Sequence, residues 1–269
     1  MSDFERLLCS FQRPAIHQEV SRIIRERSLH PDDIRDLVLR TVDLSDSRRV
    51  ADLGCGFGYM VEKLALRLPA RAYIVGVDAC DANRDCFLAR LIAARCEGDF
   101  LAMQIADTLP WADKSFDLVV CSYTLYFFPE IIRDIARVLR PQGILLAITH
   151  EADSLEALFP LTGIAREGAL LPTLLHRFSS ENGAELLAPH FHEIERGEYH
   201  NSLRFLPEHK HDLLTYVQFK LPLLLPRAGE DMELPPEVRR AIDDHFSWRG
   251  EAILEKNDAW FVCRRPRWP

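Results

Sequence analysis

The stretch Val50–Met60 reads VADLGCGFGYM and sets an acid and three glycines at alternate positions, Asp52, Gly54, Gly56 and Gly58. Glycines spaced in this way remove side chains that would block a ligand and allow backbone dihedrals closed to other residues. A helix is expected to follow, and its first turn would aim unpaired N–H groups at an anionic or polar group. Twenty residues past Gly58, Asp78 closes the run AYIVGVD, with two acceptor oxygens for a ribose diol. A nucleoside cofactor is therefore the first chemistry to consider.

Two cofactor classes meet this description. A dinucleotide loop reads G-x-G-x-x-G/A, and its third small residue lets the helix pack over a pyrophosphate. Here the residue after Gly58 is Tyr59, which suits that role badly. Asp52 would also oppose a pyrophosphate, whereas it could accept from a cationic amino group. A ligand with a ribose, an ammonium and a carboxylate but no phosphate fits better. S-adenosyl-L-methionine has those groups.

Residues in these positions need a scaffold of alternating strands and helices. RRVADLG, AYIVGVD, DFLAMQIAD, SFDLVVCSY and ILLAITH read as strands, and MVEKLALRLP, DANRDCFLARLIAARC and PEIIRDIARVLRPQG as the helices between them. That alternation implies successive βαβ units in an α/β, doubly wound, mostly parallel seven-stranded sheet with helices on both faces. The near-continuous apolar strands DLVVC and ILLAI agree, because strands covered on both faces lose polar alternation. Residues 1–46 read as an N-terminal helical cap and 47–150 as the cofactor-binding core. Residues 151–190 read as a helical lid insertion, and 191–269 as strands and helices completing the same domain. EIERGEYHNSLRFL alternates as a strand, and AWFVCRR reads as a closing strand.

These motifs resemble the class I S-adenosylmethionine-dependent methyltransferases, in the branch that includes small-molecule and quinone methyltransferases. VADLGCGFG is similar to their first motif and VGVD to their second. IADTLPWADKSFDLVVCSYTL resembles their acidic-loop and fourth-strand segment. IARVLRPQGILLAI resembles their approach to the fifth strand, with Gln142 in a slot that is often glycine. The resemblance implies that Gly54, Cys55, Gly56 and Gly58 hold the methionyl end with Asp52 near its ammonium, and that Asp78 and Ala79 meet the ribose. It implies that Asp107, with the Thr108–Leu109 backbone, meets the adenine edge, and that Cys121 and Ser122 line the methionyl side. Plainer readings stand beside these: Gly54 and Gly56 as turn glycines, Asp107 as a turn cap, Cys121 as core.

Methyl transfer from a sulfonium requires collinear acceptor, methyl and sulfur, and a catalytic base only where the acceptor is a weakly acidic proton carrier. His150, at the end of the fifth strand and followed by Glu151, is a candidate base or a loop hydrogen-bonder. Tyr126 is a candidate for the methyl pocket or for packing in LYFFP. His176 and Arg177 either face that pocket or sit on an exposed helix. After the fourth strand CSYTLYFFP lacks the Asn/Asp-Pro-Pro-aromatic motif of amino-group methyltransferases, and Cys121 lacks the neighbouring proline of cytosine C5 enzymes.

The whole chain narrows the partners. It has 269 residues and a formal net charge of -8, which disfavours a nucleic-acid acceptor. No signal peptide or membrane-length apolar run is visible, and the seven cysteines include no C-x-x-C pair. The expectation is a cytoplasmic enzyme with reduced thiols, no metal, and a small-molecule methyl acceptor. KLPLLLPR, interrupted by Pro222 and Pro226, is an apolar wall, a homo-oligomer contact or a buried segment. The other readings are a non-catalytic S-adenosylmethionine-binding module or partner subunit and, less well matched, a nicotinamide-dependent oxidoreductase.

Overall fold

The computed structural model describes residues 11–225 and 233–268. The helical reading of residues 1–10 and the expected break at Pro226 lie outside them. The described chain forms two compact units. The first comprises the segments up to Pro31, Asp153–Leu174 and His200–Asn257; the second comprises Asp32–Ala152, Leu175–Tyr199 and the segment from Asp258. The expected cap and lid segments are each divided between the two, at residue 31 and at residue 174.

The second unit is built on a seven-stranded sheet. Its strands are β1 (Arg49–Leu53), β2 (Tyr73–Asp78), β3 (Glu97–Ala102), β4 (Phe116–Ser122), β5 (Leu139–His150), β6 (Phe191–Tyr199) and β9 (Asp258–Pro266). Their order is β3-β2-β1-β4-β5-β9-β6. Every pairing is parallel except those of β9, which runs antiparallel to β5 and to β6. The expected doubly wound, mostly parallel sheet with helices around it is present. Val50, Leu118, Val120, Leu146 and Ile148 carry the sheet's share of one core, which Phe87 and Phe100 extend under β2 and β3. Strand order reverses between β1 and β4, so a crevice opens at their C-terminal ends, the usual place for a ligand in such sheets.

Helices of this unit are α2 (Ile34–Arg40), α3 (Val61–Leu64), α4 (Arg84–Ala93), α5 (Ile132–Val138) and α8 (Gly183–Leu187). Asp33 caps α2 by accepting from the Arg35 amide. Two expectations need adjusting here. MVEKLALRLP is regular helix only over α3, with turns on to Pro69. The helix before Pro141 stops at Val138, and Leu139 already pairs with Phe116; the next partners are Leu118 and Ile144, so Arg140–Gly143 loop out of register.

The first unit holds α1 (Pro14–Arg27), α6 (Leu158–Thr162), the start of α7 (Leu170–Arg177), α9 (Lys210–Leu224), α10 (Pro236–Arg249) and the antiparallel pair β7 (Ser202–Phe205) and β8 (Ala252–Glu255). The single strand expected in EIERGEYHNSLRFL is thus two strands in separate sheets, divided at His200 and Asn201. Within this unit α1 packs on α9, where Arg27 Nε donates to Asp212 at 3.0 Å. Pro222 lies inside α9 without ending it. A proline interrupts the helical ladder by removing one N–H, yet Leu221, Leu223 and Leu224 are all buried around it. Of the readings of KLPLLLPR, burial within the chain is seen for these three leucines. No described helix is long and apolar enough to cross a membrane.

Candidate functional site

The loop from β1 is closed on itself. The amides of Gly54 and Cys55 both donate to Val77 O, at 2.7 and 3.1 Å, and Gly58 N donates to Cys55 O at 3.0 Å. Gly56 N donates to Asp78 Oδ2 at 2.8 Å. Gly54, Gly56 and Gly58 have φ of +71°, +50° and +88°, a region that side chains disfavour. At Gly54 the close approach is to protein: a Cβ there would lie 2.3 Å from Thr124 Cγ2, while the Thr124 hydroxyl donates to Leu53 O at 2.9 Å. The amides of Gly54, Cys55, Gly56 and Gly58 are therefore committed to protein acceptors. The helix that follows, α3, is a single short turn. Such a loop offers little to a pyrophosphate, which needs a nest of N–H groups.

Its acids behave differently from one another. Asp78, at the end of β2, also accepts from Cys80 N at 2.8 Å and from Asn83 Nδ2 at 3.3 Å. Burial raises its pKa and these hydrogen bonds draw it back. Asp52 is 1% exposed and neither carboxylate oxygen has a hydrogen-bond partner. Burial first, and then the nearby Asp78 charge, push its pKa up to about 7. A buried carboxylate without a partner is costly, and it is explained most simply by a cation that arrives with the ligand. Asn83 Oδ1 and Ser122 Oγ, at the ends of β2 and β4, are likewise buried without partners.

The side chains of the two cysteines expected at the cofactor are buried. Burial, followed by the Asp52 charge, pushes both the Cys55 and Cys121 thiols well above the usual range. Cys55 Sγ fills the space beside Gly76, 2.8 Å from where a Cβ would stand. Ala79 is half-buried beside Asp78, and Asp107 and Thr108 are exposed after β3. The Leu109 amide, expected to serve adenine, is already committed to Asp134 Oδ2 at 2.6 Å. Arg137 of α5 holds the same loop, donating to Leu109 O at 3.1 Å, Trp111 O at 2.8 Å and Asp113 at 2.8 Å.

At the ends of β4 and β5, Asp258 collects two partners. His150 Nδ1 lies 2.5 Å from its Oδ1, and Tyr123 Oη donates to its Oδ2 at 2.8 Å. The His150 ring lies 4.8 Å from that of Tyr123 and 6.0 Å from that of Tyr126, centroid to centroid. Burial and the Asp258 charge raise the pKa of both phenols. Arg177 donates to Phe127 O at 2.7 Å and to Glu130, bracing the loop that carries Tyr126, while His176 is exposed. Neither is a pocket residue by its contacts.

Residues 51–147 match the family model described as "Methyltransferase domain". The fold is that of solved methyltransferases: a putative methyltransferase from Bacillus halodurans has a TM-score of 0.55 at 14% identity, over 87% of this chain and 99% of that one.

The chain carries a methyltransferase domain over residues 51–147.

Among the curated relatives of this chain, a ubiquinone biosynthesis O-methyltransferase of Neisseria meningitidis serogroup A is 29% identical over 81% of this chain and 77% of its own length. The uncharacterized methyltransferase YcgJ of Bacillus subtilis is 28% identical over 43% of this chain and 46% of its own. The chain spans about half the length of several curated relatives it matches.

Two residues that hold a candidate side chain or its loop are not marked by any local sequence pattern. Asp258 opens β9, and only the register that pairs it with His150 reveals it. Arg35, 1% exposed, grips Asp33 with Nε and Nη2, donates to Tyr59 O at 2.6 Å and lies 4.1 Å over the Tyr59 ring. The acids of PDDIRD pointed to a helix start but gave no sign that the arginine folds back.

Proposed function

We propose that this chain transfers a methyl group from S-adenosyl-L-methionine to a small-molecule acceptor. The observation that carries the reading is the orphaned Asp52 carboxylate beside a glycine loop in which the amides of Gly54, Cys55, Gly56 and Gly58 are already used. Together they favour a cationic amino group and disfavour phosphate. Asp52 would meet the methionyl ammonium, with the backbone of Gly54, Cys55, Gly56 and Gly58 against the methionyl chain. Ser122 would line its other side, with Cys121 packed behind. Asp78, whose lone pairs are not exhausted by its present donors, and Ala79 would face the ribose, and Asp107 and Thr108 the adenine edge.

The bound cofactor supplies an electrophilic methyl on a good leaving group. The protein's task is then to orient the acceptor and exclude water. His150 and Tyr126 are the residues assigned to the acceptor side. Calorimetric titration with S-adenosylhomocysteine tests the cofactor half: micromolar binding is expected, and no binding at millimolar ligand would remove the reading. Incubation with methyl-labelled cofactor tests transfer, since a binding module without turnover would move no label to any acceptor.

A further inference from the structure

The group formed by His150, Asp258, Tyr123 and Tyr126 lies at the C-terminal edge of the sheet. β4 separates β5 from β1, so His150 stands two strand spacings from β1, about 10 Å away. A methyl donor seated over β1 and β4 brings its acceptor beside β5. We infer that His150 is the general base of the transfer, held in one tautomer by Asp258, and that the acceptor presents a weakly acidic hydroxyl. The inference rests on the methyl-transfer reading above.

Asp258 is the centre of the argument. It is 0% exposed, and each of its oxygens faces a different group, His150 Nδ1 and Tyr123 Oη. In the proposed resting state Asp258 is ionised and accepts from Nδ1, which leaves Nε2 of a neutral ring as the basic nitrogen. The same carboxylate would stabilise the imidazolium formed when Nε2 takes up a proton. Tyr123 supplies the second donor from a φ of +59°, a conformation that an aromatic residue adopts only under constraint from its surroundings. Neither phenol competes for the role of base. Both are buried beside a negative charge and stay protonated.

The step balances without another reactant. Nε2 accepts the hydroxyl proton as the oxygen lone pair bonds to the methyl carbon, and the C–S electron pair returns to sulfur. An amine, carboxylate or thiolate acceptor would not need this base, because it is already nucleophilic. The dyad therefore selects for phenol-like or enol-like hydroxyls.

Two readouts test the inference. Nitrogen-15 NMR of histidine-labelled protein saturated with S-adenosylhomocysteine at neutral pH should show His150 protonated at Nδ1 only, with that tautomer lost in Asp258→Asn. A doubly protonated ring, or a proton on Nε2 alone, would overturn the proposal. The second readout compares phenol and catechol with thiophenol, which is ionised near neutrality. His150→Gln should lower methylation of the phenols 100- to 10,000-fold, leaving thiophenol within threefold. Asp258→Asn should lower the phenols at least tenfold, chiefly in kcat. Each variant should keep its S-adenosylhomocysteine affinity within threefold, which shows that it is folded.

Equal losses on both acceptor types, no loss on phenols, or no phenol methylation by a parent protein that binds S-adenosylhomocysteine would overturn the dyad. Failure of the parent to bind S-adenosylhomocysteine would instead overturn the functional reading beneath it.

Discussion

Replacing Asp52 by Asn should strengthen the fold and weaken the site at once. The unfolded Asp52 titrates near 3.8, whereas the folded carboxyl is pushed up to about 7 by burial and then by Asp78. Between those values the folded protein holds a proton that the unfolded chain has released, so parent stability falls as pH rises from about 4 to 7. Above pH 7 the cost is complete, and three pH units correspond to about 4 kcal/mol. Asn is isosteric and carries no such cost. The variant should match the parent near pH 4 and exceed it by up to about 4 kcal/mol at pH 8, roughly 8 °C in Tm.

Binding should move in the opposite direction. Loss of a charge-assisted hydrogen bond of about 1.5–3 kcal/mol weakens S-adenosylhomocysteine roughly 10- to 100-fold. In the parent, Kd should rise about tenfold per pH unit below 7, because the Asp52 proton has to leave before the ammonium enters. The variant should lack that slope. Thermal melts across pH 4–8 and calorimetry over the same range give both quantities. A variant less stable than the parent at pH 8, or one that binds with unchanged affinity and pH dependence, would refute the reasoning.

Other substitutions probe the supports of the crevice. Gly54→Ala meets a positive φ and the Thr124 methyl, and should cost about 2–4 kcal/mol in urea unfolding. Adding Thr124→Ser, which removes that methyl and keeps the hydroxyl, should recover about 1 kcal/mol. Arg137→Gln removes the guanidinium that holds Leu109 O, Trp111 O and Asp113. Hydrogen exchange across residues 105–113 should accelerate, and S-adenosylhomocysteine should bind several-fold more weakly. Arg35→Met strands Asp33 and frees the Tyr59 carbonyl, for an expected loss of about 3–5 kcal/mol in the same unfolding assay.

The sheet was legible because its strands are covered on both faces: DLVVC and ILLAI had no other way to be so uniformly apolar. The loop after β1 was legible for a similar reason, since Gly54, Gly56 and Gly58 all take positive φ. What escaped depends on register and on side-chain reach. Leu109 and Asp134 are 25 residues apart, and His150 and Asp258 108 apart, so no local pattern links them. At Gly54 a ligand and a plain turn were both open readings, and the space a side chain would need there is taken by Thr124 of the following β4 turn. EIERGEYHNSLRFL read as one strand because alternation has the same period on both sides of His200, and nothing local marks the change of sheet.

The most direct measurement is a crystal structure of the protein with S-adenosylhomocysteine. The expected result puts the ligand's ammonium within about 3 Å of an Asp52 oxygen and its ribose against Asp78. A ligand that binds away from the ends of β1 and β2, or a crevice in which Asp52 still faces no cation, would contradict the central claim.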